Sequence, residues 1–244
     1  MPKGITGSNP VPSAMSYKYA YITGCLILFL FWLLIFLKRK DLRKEMLWAS
    51  FFGMPLGIID FFLVPAYWNP DSLFGLIKKY GVGIESFLFL FIIAGIASVI
   101  YEFFWKEKPV KLIHGGRPHF WLLLFFSLVF LSTSILFTSK AVYGFMVSCA
   151  IGAFIIVYLR RDLWKQVFFS AFALSIFYLG GLVLIKSMFK GLIENFYNFD
   201  NICGVLIFGI PLEEVGAAFF AGAFWSTIYE YTKSYRERKL LKRN

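Results

Sequence analysis

The residues best equipped for chemistry are carboxylates set in apolar surroundings. Glu213 and Glu214 are adjacent in a run that is otherwise Pro, Leu, Val, Gly, Ala and Phe. Asp60 follows Gly57-Ile58-Ile59, and Glu85 follows Gly83-Ile84. Ionisable groups inside a bilayer are costly and are functional candidates by default. Two neighbouring carboxyls in a low dielectric cannot both ionise cheaply, so at least one of Glu213 and Glu214 is expected to keep its proton and serve as a general acid. For Asp60 and Glu85 the competing reading is polar glue between packed helices, with Asp60 pairing with Lys186 or with backbone. Glu102 and Glu230 follow Tyr101 and Tyr229 at the ends of their apolar runs. They are expected to snorkel to the interface and anchor helix ends. Phe61, Phe62, Phe87, Phe89, Phe91, Phe219, Phe220 and Trp225 flank these carboxylates. Most of them must pack or face lipid, and a subset could line an apolar channel whose π faces stabilise a cation.

The elements that carry these residues are transmembrane. The chain has 244 residues, 59% hydrophobic and 16% charged, with mean hydropathy +0.70 and 31 Phe. Its apolar residues fall in blocks of about twenty, the length a helix needs to cross about 30 Å of hydrocarbon. The expected fold is all-α: a polytopic membrane protein of about seven transmembrane helices, near 18–37, 46–66, 82–104, 119–138, 141–159, 165–187 and 203–231. The last is long enough to be tilted, or broken at Pro211. Residues 1–16 read as a disordered tail without a signal-peptide cleavage site, residues 17–232 as a single membrane domain, and residues 233–244 as a basic cytoplasmic tail.

Charge sets the orientation. With the first loop in the cytoplasm, 18 of the 25 Lys and Arg lie inside. They are in the clusters at 38–44, 106–117, 160–165 and 233–243, and no outer segment holds more than two. The net charge of +11 therefore reflects the positive-inside rule rather than nucleic-acid binding. The expected location is the cytoplasmic membrane, N-terminus outside and C-terminus inside. Cys25, Cys149 and Cys203 lie in apolar segments without CxxC or Cys/His metal spacing, so neither a disulfide framework nor a metal site is expected.

The third and seventh segments repeat each other. Gly83-Ile84-Glu85 and Tyr101-Glu102 match Pro211-Leu212-Glu213 and Tyr229-Glu230 at a constant offset of 128. Trp68-Asn69-Pro70-Asp71 aligns with Tyr197-Asn198-Phe199-Asp200 at an offset of 129. Seven helices then read as a parallel 3+1+3 repeat, with halves near 18–104 and 141–231 and a linking helix near 119–138. Such repeats commonly place the site between the halves, so Glu85 and Glu213 are expected to face one interior cavity.

The run Asp60-Phe61-Phe62, Trp68-Asn69-Pro70, Gly83-Ile84-Glu85 with Phe87 and Phe89, ending at Tyr101-Glu102, resembles one half of the carotenoid (lycopene) cyclases of the small heterodimeric type. Pro211-Leu212-Glu213-Glu214, ending at Tyr229-Glu230, resembles that family's Pro-x-Glu-Glu motif. The resemblance covers roughly residues 18–232 and looks like a fused form of the two halves. It implies a redox-neutral, proton-initiated ring closure on an acyclic carotenoid end group, with no cofactor. Glu213 and Glu214 would be acid and base, and Glu85 their first-half counterpart. Phe89, Phe220, Trp225, Asn69 and Asn198 would contact an apolar polyene or isoprenoid substrate. The first copy departs from the motif, reading Gly83-Ile84-Glu85-Ser86.

Rival readings fit less well. A CAAX-type protease pairs its glutamates with an Arg and intramembrane His, but the seventh segment has no Arg before Arg236, and His114 and His119 lie in a basic loop. A rhodopsin needs a Lys in its last helix, which residues 203–231 lack. Gly81-Val82-Gly83 has neither the third Gly nor the strand of a dinucleotide site. A carrier or scaffold for an isoprenoid or proton-coupled solute is the non-enzymatic alternative.

Overall fold

The computed structural model describes residues 17–105, 108–111, 121–136, 140–233 and 235–238. The N-terminal tail, His114, His119 and most of the basic C-terminal tail lie outside the described residues. Helices in chain order are α1 (Ala20–Lys38), α2 (Arg43–Gly53), α3 (Asp60–Leu63), α4 (Leu76–Tyr80), α5 (Ile84–Trp105), α6 (Trp121–Leu136), α7 (Ala141–Leu159), α8 (Trp164–Met188), α9 (Leu192–Phe196), α10 (Leu212–Trp225) and α11 (Ile228–Lys233).

The chain is an integral membrane protein by the length and surface of its helices. Among the described residues, five segments are long and apolar enough to cross a bilayer: Tyr17–Lys38, Arg43–Leu63, Ile84–Trp105, Ala141–Leu159 and Arg161–Met188. Their outward faces are greasy rather than charged. Leu30 is 64% exposed, Phe154 70% and Ile176 69%, a surface suited to acyl chains and not to water.

The second segment differs from the continuous helix expected, and the seventh is broken at Pro211, one of the two alternatives expected for it. Arg43–Leu63 is interrupted by 3-10 turns over Met54–Ile59, with Pro55 at their start, because proline cannot donate the helical N–H bond. The helix of the seventh segment begins at Leu212 rather than near 203. Ahead of it a tight hairpin pairs β2 (Leu206–Ile207) with β3 (Ile210–Pro211), with Gly204 and Gly209 at positive φ, where a Cβ would be strained. Glu213 and Glu214 therefore sit in the first turn of α10 and not ten residues into a helix. One further strand pair, β1 (Lys108–Lys111) with β4 (Tyr235–Arg238), joins the segments that follow α5 and α11.

Two helices organise the packing. α5 packs against α1 and α2, and α10 packs against α7 and α8; α6 lies against α7. The crossings depend on missing side chains: a Cβ at Gly95 would meet Ser50 Oγ and Trp32 Nε1, and a Cβ at Gly222 would lie 2.6 Å from the Ser170 carbonyl oxygen. Small residues let backbones approach where lipid gives no hydrophobic drive for helix association. The segments that align at 68–71 and 197–200 meet in space. Trp68 bridges antiparallel to Tyr197, the Asn69 N–H donates to the Phe196 carbonyl at 2.6 Å, and the Asn198 N–H donates to the Tyr67 carbonyl at 2.9 Å.

Candidate active site

Asp60 enters the interior because the 3-10 turns bring Gly57 against the start of α5, where its Cβ position lies 2.7 Å from the Phe87 nitrogen. Asp60 is 7% exposed. Its Oδ2 accepts from Tyr21 at a long 3.4 Å, with Ser86 and Trp68 against it. Glu214 enters from the other half. Its Oε1 accepts from the Tyr67 hydroxyl and its Oε2 from the Tyr178 hydroxyl, both at 2.8 Å. Tyr197 stands beside the same carboxyl, its ring 5.6 Å from that of Tyr67.

Asp60 and Glu214 line the same cavity, of about 130 Å³, whose remaining wall is apolar or aromatic, with Trp68, Phe89, Ile93, Phe145 and Tyr178 prominent. They are the two acidic residues of that wall. A second cavity of about 70 Å³ between α1 and α8 shares Trp68, Phe89 and Tyr178 with it. A third of about 40 Å³ shares Leu90, Ile93 and Phe145 and reaches Phe224 and Trp225. The 130 Å³ cavity thus shares walls with each of the other two.

Glu213 does not share the cavity with its neighbour. Adjacent residues on a helix point about 100° apart. Glu213 Oε1 accepts from the Tyr143 hydroxyl at 2.5 Å and from the Cys203 N–H at 2.6 Å. Glu85 is held in the same manner, its Oε1 accepting from the Leu73 N–H at 2.5 Å. Each fastens the loop that leads into its own helix, and neither lines the chamber between Asp60 and Glu214. Lys186 donates to the Phe208 carbonyl at 3.1 Å, not to Asp60.

Of the expected substrate contacts, Phe89 lines two of the cavities and Trp225 the third. Phe220 packs edge-on to Phe219 at 5.3 Å, outside the cavity walls. Asn69 and Asn198 join the two loops through backbone bonds, and the Asn198 side chain accepts from the Asp200 N–H. Sequence reasoning did not single out Tyr67 and Tyr178. A tyrosine within an apolar span was their one signal, since a buried phenol needs a partner.

Glu102 and Glu230 are buried at 0% exposure and do not reach the interface as expected. They lie with Glu45, their carboxylate oxygens within 4.8 Å of one another. Interior helix faces hold them because Ser98 and Ser226, one turn earlier, are equally buried.

A model of the lycopene cyclase family matches residues 18–104 and 139–232 of the chain. No curated protein and no solved structure matches it. The matched segments take in α1–α5 and α7–α11, the two groups of helices that enclose Asp60 and Glu214, and with most of its length so matched the chain belongs to the lycopene cyclase family.

Proposed function

We propose that this protein catalyses the proton-initiated cyclisation of an acyclic carotenoid end group, with Asp60 and Glu214 as the proton-handling pair. The observation that carries the reading is a single apolar cavity lined by one carboxyl from each half. Two phenol O–H donors aimed at Glu214 complement a carboxylate, which suits it to take up a proton and to stabilise positive charge. Asp60, whose Tyr21 contact is long at 3.4 Å, is suited to carry the proton into the cavity. Asp60 protonates the terminal double bond, and the internal double bond attacks the resulting cation to close the six-membered ring. Glu214 then removes the ring proton as the new double bond forms. No electrons are exchanged, and one proton returned from Glu214 to Asp60 resets the site. The rings of Trp68, Phe89 and Phe145 face the cation. The adjoining cavities suit the rest of a long polyene.

In this reading Asp60 supplies the carboxyl that the first copy lacks at Ser86, and Glu85 and Glu213 are positioning residues. The chain crosses the cytoplasmic membrane seven times, the five long spans being joined by α6 and by α10 with α11. The N-terminus is outside and the C-terminus inside, and the halves form the parallel 3+1+3 repeat. The charge distribution, the two matched segments and the meeting of Glu102 and Glu230 at corresponding ends of the two segments support this arrangement. The alternative is a non-catalytic or carrier-type protein for an apolar isoprenoid, using the same cavity.

The test is production in lycopene-accumulating cells. We expect ringed pigment without added flavin or nicotinamide, lost in both Asp60→Asn and Glu214→Gln while each variant remains folded in the membrane. Full activity in either variant rejects the assignment. Extraction of bound, unchanged polyene with the native protein favours the carrier.

A further inference from the structure

The most closely repeated parts of the chain are not at the cavity but at the opposite end of α5. Arg39-Lys40-Asp41-Leu42-Arg43-Lys44-Glu45 matches Arg160-Arg161-Asp162-Leu163-Trp164-Lys165-Gln166, and Ser98-Val99-Ile100-Tyr101-Glu102 matches Ser226-Thr227-Ile228-Tyr229-Glu230. The copies agree in three dimensions. Arg39 is held by both oxygens of Asp41, at 3.0 and 2.9 Å, and Arg160 by both oxygens of Asp162, at 2.9 and 2.8 Å. Leu42 and Leu163 are buried behind them.

These motifs bring four side chains together where the two halves meet. Glu45, Glu102, Gln166 and Glu230 are each at most 2% exposed. Glu45 comes from α2, Glu102 from α5, Gln166 from α8 and Glu230 from α11. The three carboxylates present oxygens within 4.8 Å of one another. The Gln166 Nε2 donates to Glu102 Oε1 at 3.0 Å and to the Ser226 carbonyl at 2.8 Å, and the same amide contacts Glu230. The amide thus adjoins the cluster, its nitrogen toward Glu102. Its Oε1 is buried with no hydrogen-bond partner among the described residues.

From this geometry we infer that Glu45, Glu102, Glu230 and the Gln166 carbonyl oxygen form a divalent-cation site that clips the two halves together. Every candidate ligand is a hard oxygen, the donor set of Ca²⁺, Mg²⁺ or Mn²⁺ rather than of a thiol- or imidazole-seeking metal. Oxygens at about 2.3–2.6 Å from a Ca²⁺ ion stand no more than about 5 Å apart across it, which matches the observed spread. Arg39 and Arg160, each paired with its own aspartate, border the cluster: Arg39 also donates to the Glu102 carbonyl at 2.6 Å, and Arg160 bears electrostatically on Glu230. The chemistry expected is ligand binding without catalysis.

The experiment uses the purified full-length chain in detergent after chelator treatment, with Tb³⁺ as probe and Trp48, whose ring is 5.4 Å from Tyr229, as sensitiser. We expect saturable Tb³⁺ emission at one ion per chain, displaced by Ca²⁺ or Mn²⁺, and a rise in Tm on adding either cation. Glu102→Gln/Glu230→Gln should weaken binding by at least about 100-fold, since it removes two of three charged ligands. Gln166→Glu should strengthen it by about tenfold through an added charge, and this variant keeps the test open if the double one does not fold. Glu214→Gln should leave binding unchanged. Absence of saturable emission and of any Tm rise in the native chain overturns the proposal, as does undiminished binding in the folded double variant. Neither readout needs substrate or turnover.

Discussion

If Glu214 acts through the two phenols that hold it, their contributions must depend on its charge. Tyr67 and Tyr178 each donate to a different oxygen of Glu214 at 2.8 Å. A hydrogen bond to a charged group contributes about 1.5–3 kcal/mol, so Tyr178→Phe should slow ring closure by about tenfold to about 150-fold at about 1.36 kcal/mol per decade. Glu214→Gln keeps the shape but removes the proton acceptor, and a general base contributes about 10²–10⁴-fold. Groups in one network are not additive. On the Glu214→Gln background Tyr178→Phe should therefore cost less than about threefold. The assay is single-turnover conversion of an acyclic carotenoid by reconstituted protein, followed by the absorbance shift on ring formation, with thermal unfolding as the control for structure. An equal Tyr178→Phe penalty on both backgrounds would refute the reasoning. So would a Glu214→Gln variant retaining more than about a tenth of native activity.

Three other outcomes are expected. Glu213→Gln and Glu85→Gln should lower Tm by several degrees yet hold activity within about tenfold, because each fastens a loop and neither meets the cavity. Loss comparable to that of Glu214→Gln would instead place them in the chemistry. Gly222→Leu forces side-chain atoms onto the Ser170 carbonyl, 2.6 Å from the Cβ position. It should destabilise the α8–α10 crossing by about 1–3 kcal/mol or abolish folding, read as lost monodisperse protein; native-like Tm would contradict the packing described. A reporter fused after Asn244 should be cytoplasmic and one at the N-terminus external. The reverse result would refute the orientation drawn from the Lys/Arg distribution.

The sequence by itself determined that this is a helical membrane protein with carboxylates in its interior. Long apolar runs and the positions of Asp60, Glu85, Glu213 and Glu214 are local properties, readable one segment at a time. So are the family motifs, which lie on short contiguous stretches. The start of the seventh helix was less legible, because its upstream residues are apolar enough to pass for membrane helix while Gly204, Gly209 and Pro211 turn them into a hairpin. Tertiary structure alone decided which carboxylates meet. Adjacency in sequence suggested Glu213 with Glu214, but neighbouring helical side chains diverge, and Glu214 shares its cavity with Asp60 from the other half. It also moved Glu102 and Glu230 from an expected interface to a buried cluster with Glu45. That grouping rests on how two helical halves pack across their junction, and no spacing along one chain segment encodes a distance between helices far apart in sequence.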